Sequence, residues 1–277
     1  MEHTEKNGVL IPYFIISAAA AAALCFLLSY RGWTLAGMFV VWFAAAFAGL
    51  WLLLALFLTV VSLFIDPTRP QRTLLPFYYR TVAYVMALLW AMARVRIHVS
   101  GLEKVPEGRF LAVCNHRSNF DPIVLGWVLR YREVVFVSKP ENLRIPVVGR
   151  ILHKSCFLAI DRENDREALK TILSAIDYVK RDVASVAIFP EGTRHAGEDL
   201  LPFRNGAFKI AQRTGCPVLV ATLRGTDQVH RRWPWRDTDV YLDFLTVIDG
   251  AQVARMKTNE IGEIVRTCMT SALSAVC

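Results

Sequence analysis

The segment FLAVCNHRSNFDPIVLGWVLRY (residues 110–131) reads in three parts. FLAVCN (110–115) is a short apolar run suited to a buried strand, and NHRSN is rich in turn formers. DPIVLGWVLRY (121–131) reads as a helix, with Asp121 at the cap and Pro122 in the first turn. In α/β proteins ligands bind where strands end and helices begin, so this junction is where chemistry is expected. It holds His116 and Asp121. Imidazole can take up a proton near neutral pH, and a carboxylate beside it can orient the ring and stabilise the imidazolium. Five positions apart, the two side chains do not share a helix face and need the turn to meet. Taken alone, the pair is better read as a capping Asp over a packed His.

Outward from this junction the same alternation continues. RVRIHVS (94–100), EVVFVS (133–138), SVAIFP (185–190), PVLVATL (217–223) and VYLDFLTVI (240–248) read as strands. Between and after them lie the helical stretches 166–182, 208–215 and 257–275. In the first of these, Leu169, Ile172, Leu173, Ile176 and Val179 fall on one face. Strands separated by helices predict an α/β sheet flanked by helices.

A second polar cluster, Phe189-Pro190-Glu191-Gly192-Thr193-Arg194, again follows a buried strand. Gly192 lets the backbone approach a ligand, Thr193 offers a hydroxyl, and Arg194 offers a fork suited to phosphate. The alternative is a solvated turn with a Glu–Arg pair. Lys139, Arg162, Arg204 and Lys209 also follow strand ends. Each suits a solvated position singly, and together at one end of a sheet they would form an anion site.

The N-terminal part has a different character. Hydrophobic residues make up 54% of the 277 and charged residues 20%, and residues 1–65 carry only Glu2, Glu5, Lys6 and Arg31. The whole net charge of +8 therefore falls on residues 66–277. Residues 9–30 and 34–65 are uncharged apart from Arg31 in the RGW turn between them, and each run reaches the ~20 residues a membrane helix needs. The expected anchor is a transmembrane helical hairpin over 1–65. Arg69, Arg72 and Arg80 after it place the large domain on the cytoplasmic face by the positive-inside rule. Residues 74–93, apolar and aromatic around Arg80, suit an interfacial helix within a 66–93 linker, or a buried core helix. Residues 94–277 form the cytoplasmic domain.

Cys25, Cys114, Cys156, Cys216, Cys268 and Cys277 contain no CxxC pair, and the histidines show no ligand spacing, so no metal is expected. GxSxG, GxGxxG and GxxxxGK[ST] patterns are missing. Basicity beside apolar spans, without a nucleic-acid motif, points to anionic lipid rather than nucleic acid.

Taken together, these segments resemble the glycerolipid acyltransferases, typified by 1-acylglycerol-3-phosphate acyltransferase. NHRSNFD resembles the family's NHxxxxD block. FLAIDR (157–162), FPEGTR (189–194), PFRNGAFKIA (202–211) and CPVLVA (216–221) resemble the blocks that follow, in the same order, with Val220 where a second Pro is common. The resemblance covers about 96–249. It implies transfer of a fatty acyl group from acyl-CoA or acyl carrier protein to the free hydroxyl of a lysolipid such as 1-acylglycerol-3-phosphate, with no bound cofactor. His116 and Asp121 would be catalytic. Glu191, Gly192, Thr193 and Arg194 would bind substrate with Arg162 assisting, and Lys139 is added from its place at a strand end. Another lysophospholipid or a lyso-ornithine lipid is the alternative acceptor. A non-catalytic lipid-binding protein is a third possibility.

Overall fold

The computed structural model describes residues 3–5, 8–195, 197 and 199–275, so Cys277 lies outside the described residues. Contacts divide the chain into two units, Asn7–Asp66 and Pro67–Cys277, the latter taking the N-terminal strand with it.

The first unit is an antiparallel pair of helices, α1 (Ile11–Leu27) and α2 (Trp33–Leu63). Tyr13 stacks on Trp51 and Phe14 on Phe47, each with ring centroids 5.2 Å apart. At 31 residues α2 is about 46 Å long and passes the length and composition test for a membrane span. The α1 helix is shorter than the apolar run that contains it, at 17 residues. Pro12 sits in its first turn, and Ser29 adopts a left-handed conformation (φ 56°) just after its end.

The second unit is built on one sheet. Its strands are β1 (His3–Glu5), β2 (Val95–Ser100), β3 (Leu111–Cys114), β4 (Val134–Ser138), β5 (Leu158–Ala159), β6 (Ser185–Ile188), β7 (Val218–Arg224) and β8 (Thr238–Ile248). Their spatial order is β1-β2-β8-β7-β3-β6-β4-β5. From β7 to β5 all neighbours are parallel, whereas β7 and β8 pair antiparallel. Central β3 is paired on both sides, Ala112 lying opposite Ala187 of β6 and Leu219 of β7. Every residue of β3 and β6 is buried, as expected of parallel strands covered on both faces.

The remaining helices are α3 (Pro76–Met92), α4 (Asp121–Val128), α5 (Pro140–Arg144), α6 (Val148–Lys154), α7 (Asp165–Lys180), α8 (Lys209–Thr214), α9 (Val229–Arg232), α10 (Gly250–Arg255) and α11 (Thr258–Ser274). One group packs α3 with α4 and α6, and a second packs α7 with α8 and α8 with α10. The core face of α7 is Ile172, Ala175, Tyr178 and Val179. Leu169 and Leu173, expected on that face, are instead 48% and 54% exposed. The helix is rotated so that the Ala175 and Tyr178 side, which the apolar periodicity did not mark, meets the sheet.

The α3 helix has two faces. Tyr79, Val82, Ala87, Leu88 and Trp90 are buried in the domain, while Phe77, Tyr84, Leu89 and Met92 are exposed. Trp90 is the main anchor. Its indole stacks against Trp127 at 5.4 Å and its N–H donates to the Val95 carbonyl at 2.6 Å. Removing a buried aromatic of this size leaves a cavity and an unsatisfied carbonyl. Trp90→Ala is therefore expected to lower the unfolding free energy by about 3–5 kcal/mol, read from denaturant unfolding of the detergent-solubilised protein.

Candidate active site

The site forms at the carboxyl ends of β3, β6 and β7. Asn115, directly after β3, pins the exiting chain to β7: its side-chain carbonyl accepts from Leu223 N (2.7 Å) and its amide donates to Leu223 O (2.9 Å). The next five residues turn back so that His116 faces Asp121. His116 Nδ1 lies 2.7 Å from Asp121 Oδ2.

Asp121 does not cap its own helix as expected. It is the first residue of α4, the N-cap position falls on Phe120, and no side chain caps that end. Its fully buried carboxylate reaches back instead. Oδ2 accepts from Arg117 N (2.6 Å) and Ser118 N (2.7 Å) as well as from His116, and Oδ1 accepts the Thr226 hydroxyl at 2.5 Å. An ionised carboxylate only accepts, so the imidazole carries its proton on Nδ1 and directs a lone pair from Nε2. Among the described residues Nε2 has no hydrogen-bond partner. The ring is largely buried and lies flat on Phe189, with centroids 4.3 Å apart.

Phe189 opens the FPEGTR turn, which meets the NHRSNFD turn at three points. Glu191 Oε1 accepts from His116 N (2.8 Å), His195 N donates to His116 O (2.8 Å), and Arg194 Nη1 donates to Asn119 Oδ1 (2.8 Å). The other oxygen of Glu191 accepts from Leu201 N at 3.0 Å. Both oxygens of this buried carboxylate are thus taken up by backbone N–H groups, and Glu191 acts here as a tie between loops. Gly192 has φ +73°, and a Cβ there would lie 2.9 Å from Arg204 Nε, so only glycine fits.

Two cavities lie against neighbours of the pair, one lined in part by Phe189 and the other by Arg117 and Ser118. One, of about 380 Å³, has apolar walls from Val137, Ile160, Ile172 and Phe189, with Arg162, Arg204 and Lys209 at its edge beside Gly192. Burial and the neighbouring Arg204 lower the Arg162 pKa, against an opposing pull from Glu141. The other, of about 500 Å³, is lined by Ser118, Asn119, Thr193, Arg194 and Arg231 among others. Thr193 and Arg194 are exposed at its wall. Lys139 is exposed after β4 and lines neither cavity. Three of the four basic residues picked out at strand ends therefore converge, and Lys139 stands apart.

Sequence reasoning missed Asn115, Arg117, Thr226 and Asp227. Arg117 Nε donates to Asp227 Oδ1 (3.1 Å) and its Nη1 to Gly197 O (3.0 Å), bracing the turn from outside. The adjacency of Thr226 and Asp227 to a strand end was the available signal, but nothing local distinguishes them from ordinary loop residues. Burial, with the charges of Asp121 and Glu191, raises the Cys114 thiol well above its ordinary pKa.

Residues 96–224 match the family model described as Acyltransferase. The matched stretch, which carries the site, is similar to that family. The chain is 29% identical over 167 residues to the 1-acyl-sn-glycerol-3-phosphate acyltransferase of Escherichia coli, covering 60% of this chain and 68% of that protein. It is 28% identical over 197 residues to the enzyme of that name from Borreliella burgdorferi, covering 70% of this chain and 78% of that one. The fold matches the crystal structure of the 1-acyl-sn-glycerophosphate acyltransferase of Thermotoga maritima. That match has a TM-score of 0.58 and 22% identity, and covers 79% of this chain and 87% of that one. The matched residues include both turns that build the site.

Two consequences can be measured. Glu191→Gln replaces one acceptor oxygen with a donor facing a backbone N–H, so the variant is expected to lose about 1–3 kcal/mol of stability in denaturant unfolding. The second concerns pH. Burial pushes the Asp227 carboxyl up, but the hydrogen bond and charge of Arg117 outweigh it and hold the pKa below the ordinary value. A lowered folded pKa stabilises above the unfolded pKa and ceases to do so as pH falls through the folded value. Wild type is expected to be more stable than Asp227→Asn at neutral pH, and the gap in denaturation midpoints is expected to close in acid below the ordinary carboxylate range.

Proposed function

We infer that this protein moves a fatty acyl group from a thioester, acyl-CoA or acyl carrier protein, to the free hydroxyl of 1-acylglycerol-3-phosphate, making phosphatidate. One observation carries the reading: the imidazole of His116 is fixed by Asp121 through Nδ1, and its Nε2 has no hydrogen-bond partner among the described residues.

His116 Nε2 takes the proton of the acceptor hydroxyl as that oxygen attacks the thioester carbonyl carbon. The tetrahedral intermediate collapses with loss of the C–S bond, and the imidazolium returns the proton to the leaving thiolate. Asp121 stabilises the imidazolium through the Nδ1 proton without taking it. No acyl-enzyme is needed, because the thiolate leaves readily. General-base catalysis of this kind contributes typically ~10²–10⁴-fold, and positioning of the two substrates supplies much of the rest.

The acceptor's phosphate is assigned to the basic rim. Arg162, with Arg204 and Lys209, faces the close backbone at Gly192, and Arg194 with Thr193 lines the second cavity. Glu191 serves the same end by holding the His116 turn, and Lys139 is left as an outer basic residue. Arginine forks suit a phosphate monoester better than a zwitterionic headgroup. The names of the relatives agree with this acceptor.

The α1–α2 pair is read as a two-span anchor, with α3 at the interface and the domain on the cytoplasmic face, as the basic residues after α2 require. Both lipid substrates partition into a bilayer, so an anchored enzyme meets them there.

The test measures thiol release from palmitoyl-CoA in mixed micelles. The acceptors are lysophosphatidate, lysophosphatidylcholine, lysophosphatidylethanolamine and lyso-ornithine lipid. Turnover is expected with lysophosphatidate, and His116→Ala is expected to lower kcat by about 10²–10⁴-fold. Turnover with another acceptor and none with lysophosphatidate would overturn the assigned acceptor. Unchanged activity of His116→Ala would overturn the assigned base.

A further inference from the structure

Residues 230–236 (HRRWPWR) run between β7 and β8 at the end of the sheet that carries the site, and all seven are exposed. Trp235 is 86% exposed and Trp233 53%. Large apolar side chains in such a run are unusual on a surface that faces only water. Among the described residues, Arg231, Arg232 and Arg236 form no ion pair. The next carboxylate, Asp237, is held by Arg94 (2.8 Å) and Arg96 and cannot offset them. Charge on this segment is therefore uncompensated.

The segment is held in place. Trp233 Nε1 donates to Met92 O at 3.0 Å, joining it to the end of α3, and Trp235 N and Arg236 N both donate to Arg232 O (3.1 and 3.0 Å). The exposed apolar face of α3, including Leu89 and Met92, thus continues into the Trp–Arg segment. At its other side, His230 and Arg231 form part of the wall of the cavity that also holds Asn119 and Arg194.

We propose that residues 230–236, with the adjoining end of α3, form a docking surface for an anionic lipid bilayer beside the mouth of the catalytic cleft. Indole rings settle at headgroup depth, where an apolar body and a polar N–H are both satisfied. Guanidinium groups beside them pair with lipid phosphates, and the attraction grows with the negative surface potential. An exposed, aromatic and basic segment suits a lipid surface better than a protein groove. The surface is separate from α1 and α2 and does not depend on which lysolipid is acylated. Its role is to hold the cleft mouth against the headgroup layer from which a lipid substrate would enter.

The experiment uses the full chain with Cys268→Ser and Cys277→Ser, carrying the fluorophore NBD at Trp235→Cys. It is reconstituted into vesicles of phosphatidylcholine alone or of equal parts phosphatidylcholine and phosphatidylglycerol. The expected result is a blue-shifted emission and loss of iodide quenching in the anionic vesicles. A label at Lys180→Cys, at the opposite end of the sheet, is expected to stay fully quenched. Adding Arg232→Gln and Arg236→Gln, both exposed and outside any ion pair, is expected to restore quenching at position 235. Full quenching at position 235 in both vesicle types would overturn the proposal. So would protection that appears only on adding acyl carrier protein. Equal protection in neutral and anionic vesicles would overturn the part assigned to the arginines.

Discussion

A fully buried carboxylate organises the catalytic end of this domain. Taking Asp121 out of water is tolerable only if every accepting position finds a donor. The chain meets that demand with two backbone N–H groups from its own turn, the Thr226 hydroxyl from just after the neighbouring strand β7, and the His116 ring. The shape of the turn, the tautomer of the imidazole and the position of α4 are thus consequences of one desolvated charge. Because the network is fully satisfied, it is also rigid, which is what a general base needs.

Around this centre the site is assembled by ties between loops. Asn115 fixes the turn to β7, Glu191 fixes it to the FPEGTR segment, and Arg117 braces it through Asp227. Several of these contacts go to backbone rather than to side chains, so they set where the loops run. The charged side chains lining the two cavities are mostly cationic: Arg162, Arg204 and Lys209 in one, Arg194 and Arg231 in the other. A site of this kind combines one imidazole with a surplus of positive charge. It is suited to an acceptor that brings a hydroxyl and a phosphate together.

The same division between a buried and a presented side recurs in α3. Its inner face anchors through Trp90 to β2 and α4, and its outer face exposes Phe77, Tyr84, Leu89 and Met92. The helix packs into the core along one face and leaves the other exposed, because 17 residues give room for both faces. What makes the outer face more than a chance exposure is its continuity with the Trp–Arg segment through the Trp233–Met92 hydrogen bond.

Much was legible in the sequence, for physical reasons. The alternation of apolar runs with amphipathic stretches determined an α/β sheet, because buried parallel strands and flanking helices need those two periodicities. Uncharged runs marked α1 and α2, and the order of the motif blocks marked the acyltransferase-like domain. His116 and Asp121 stood out because a turn was the only way for the two to meet. Tertiary structure decided the rest. It placed Asp121 as an inward hub rather than a helix cap, turned the oxygens of Glu191 toward backbone donors, and gathered Arg204 with Arg162 while leaving Lys139 apart. It rotated α7 so that Leu169 and Leu173 face outward. These outcomes depend on which groups are desolvated together across strands distant in the chain, as Asp121 and Thr226 are. No local pattern of residues carries that information.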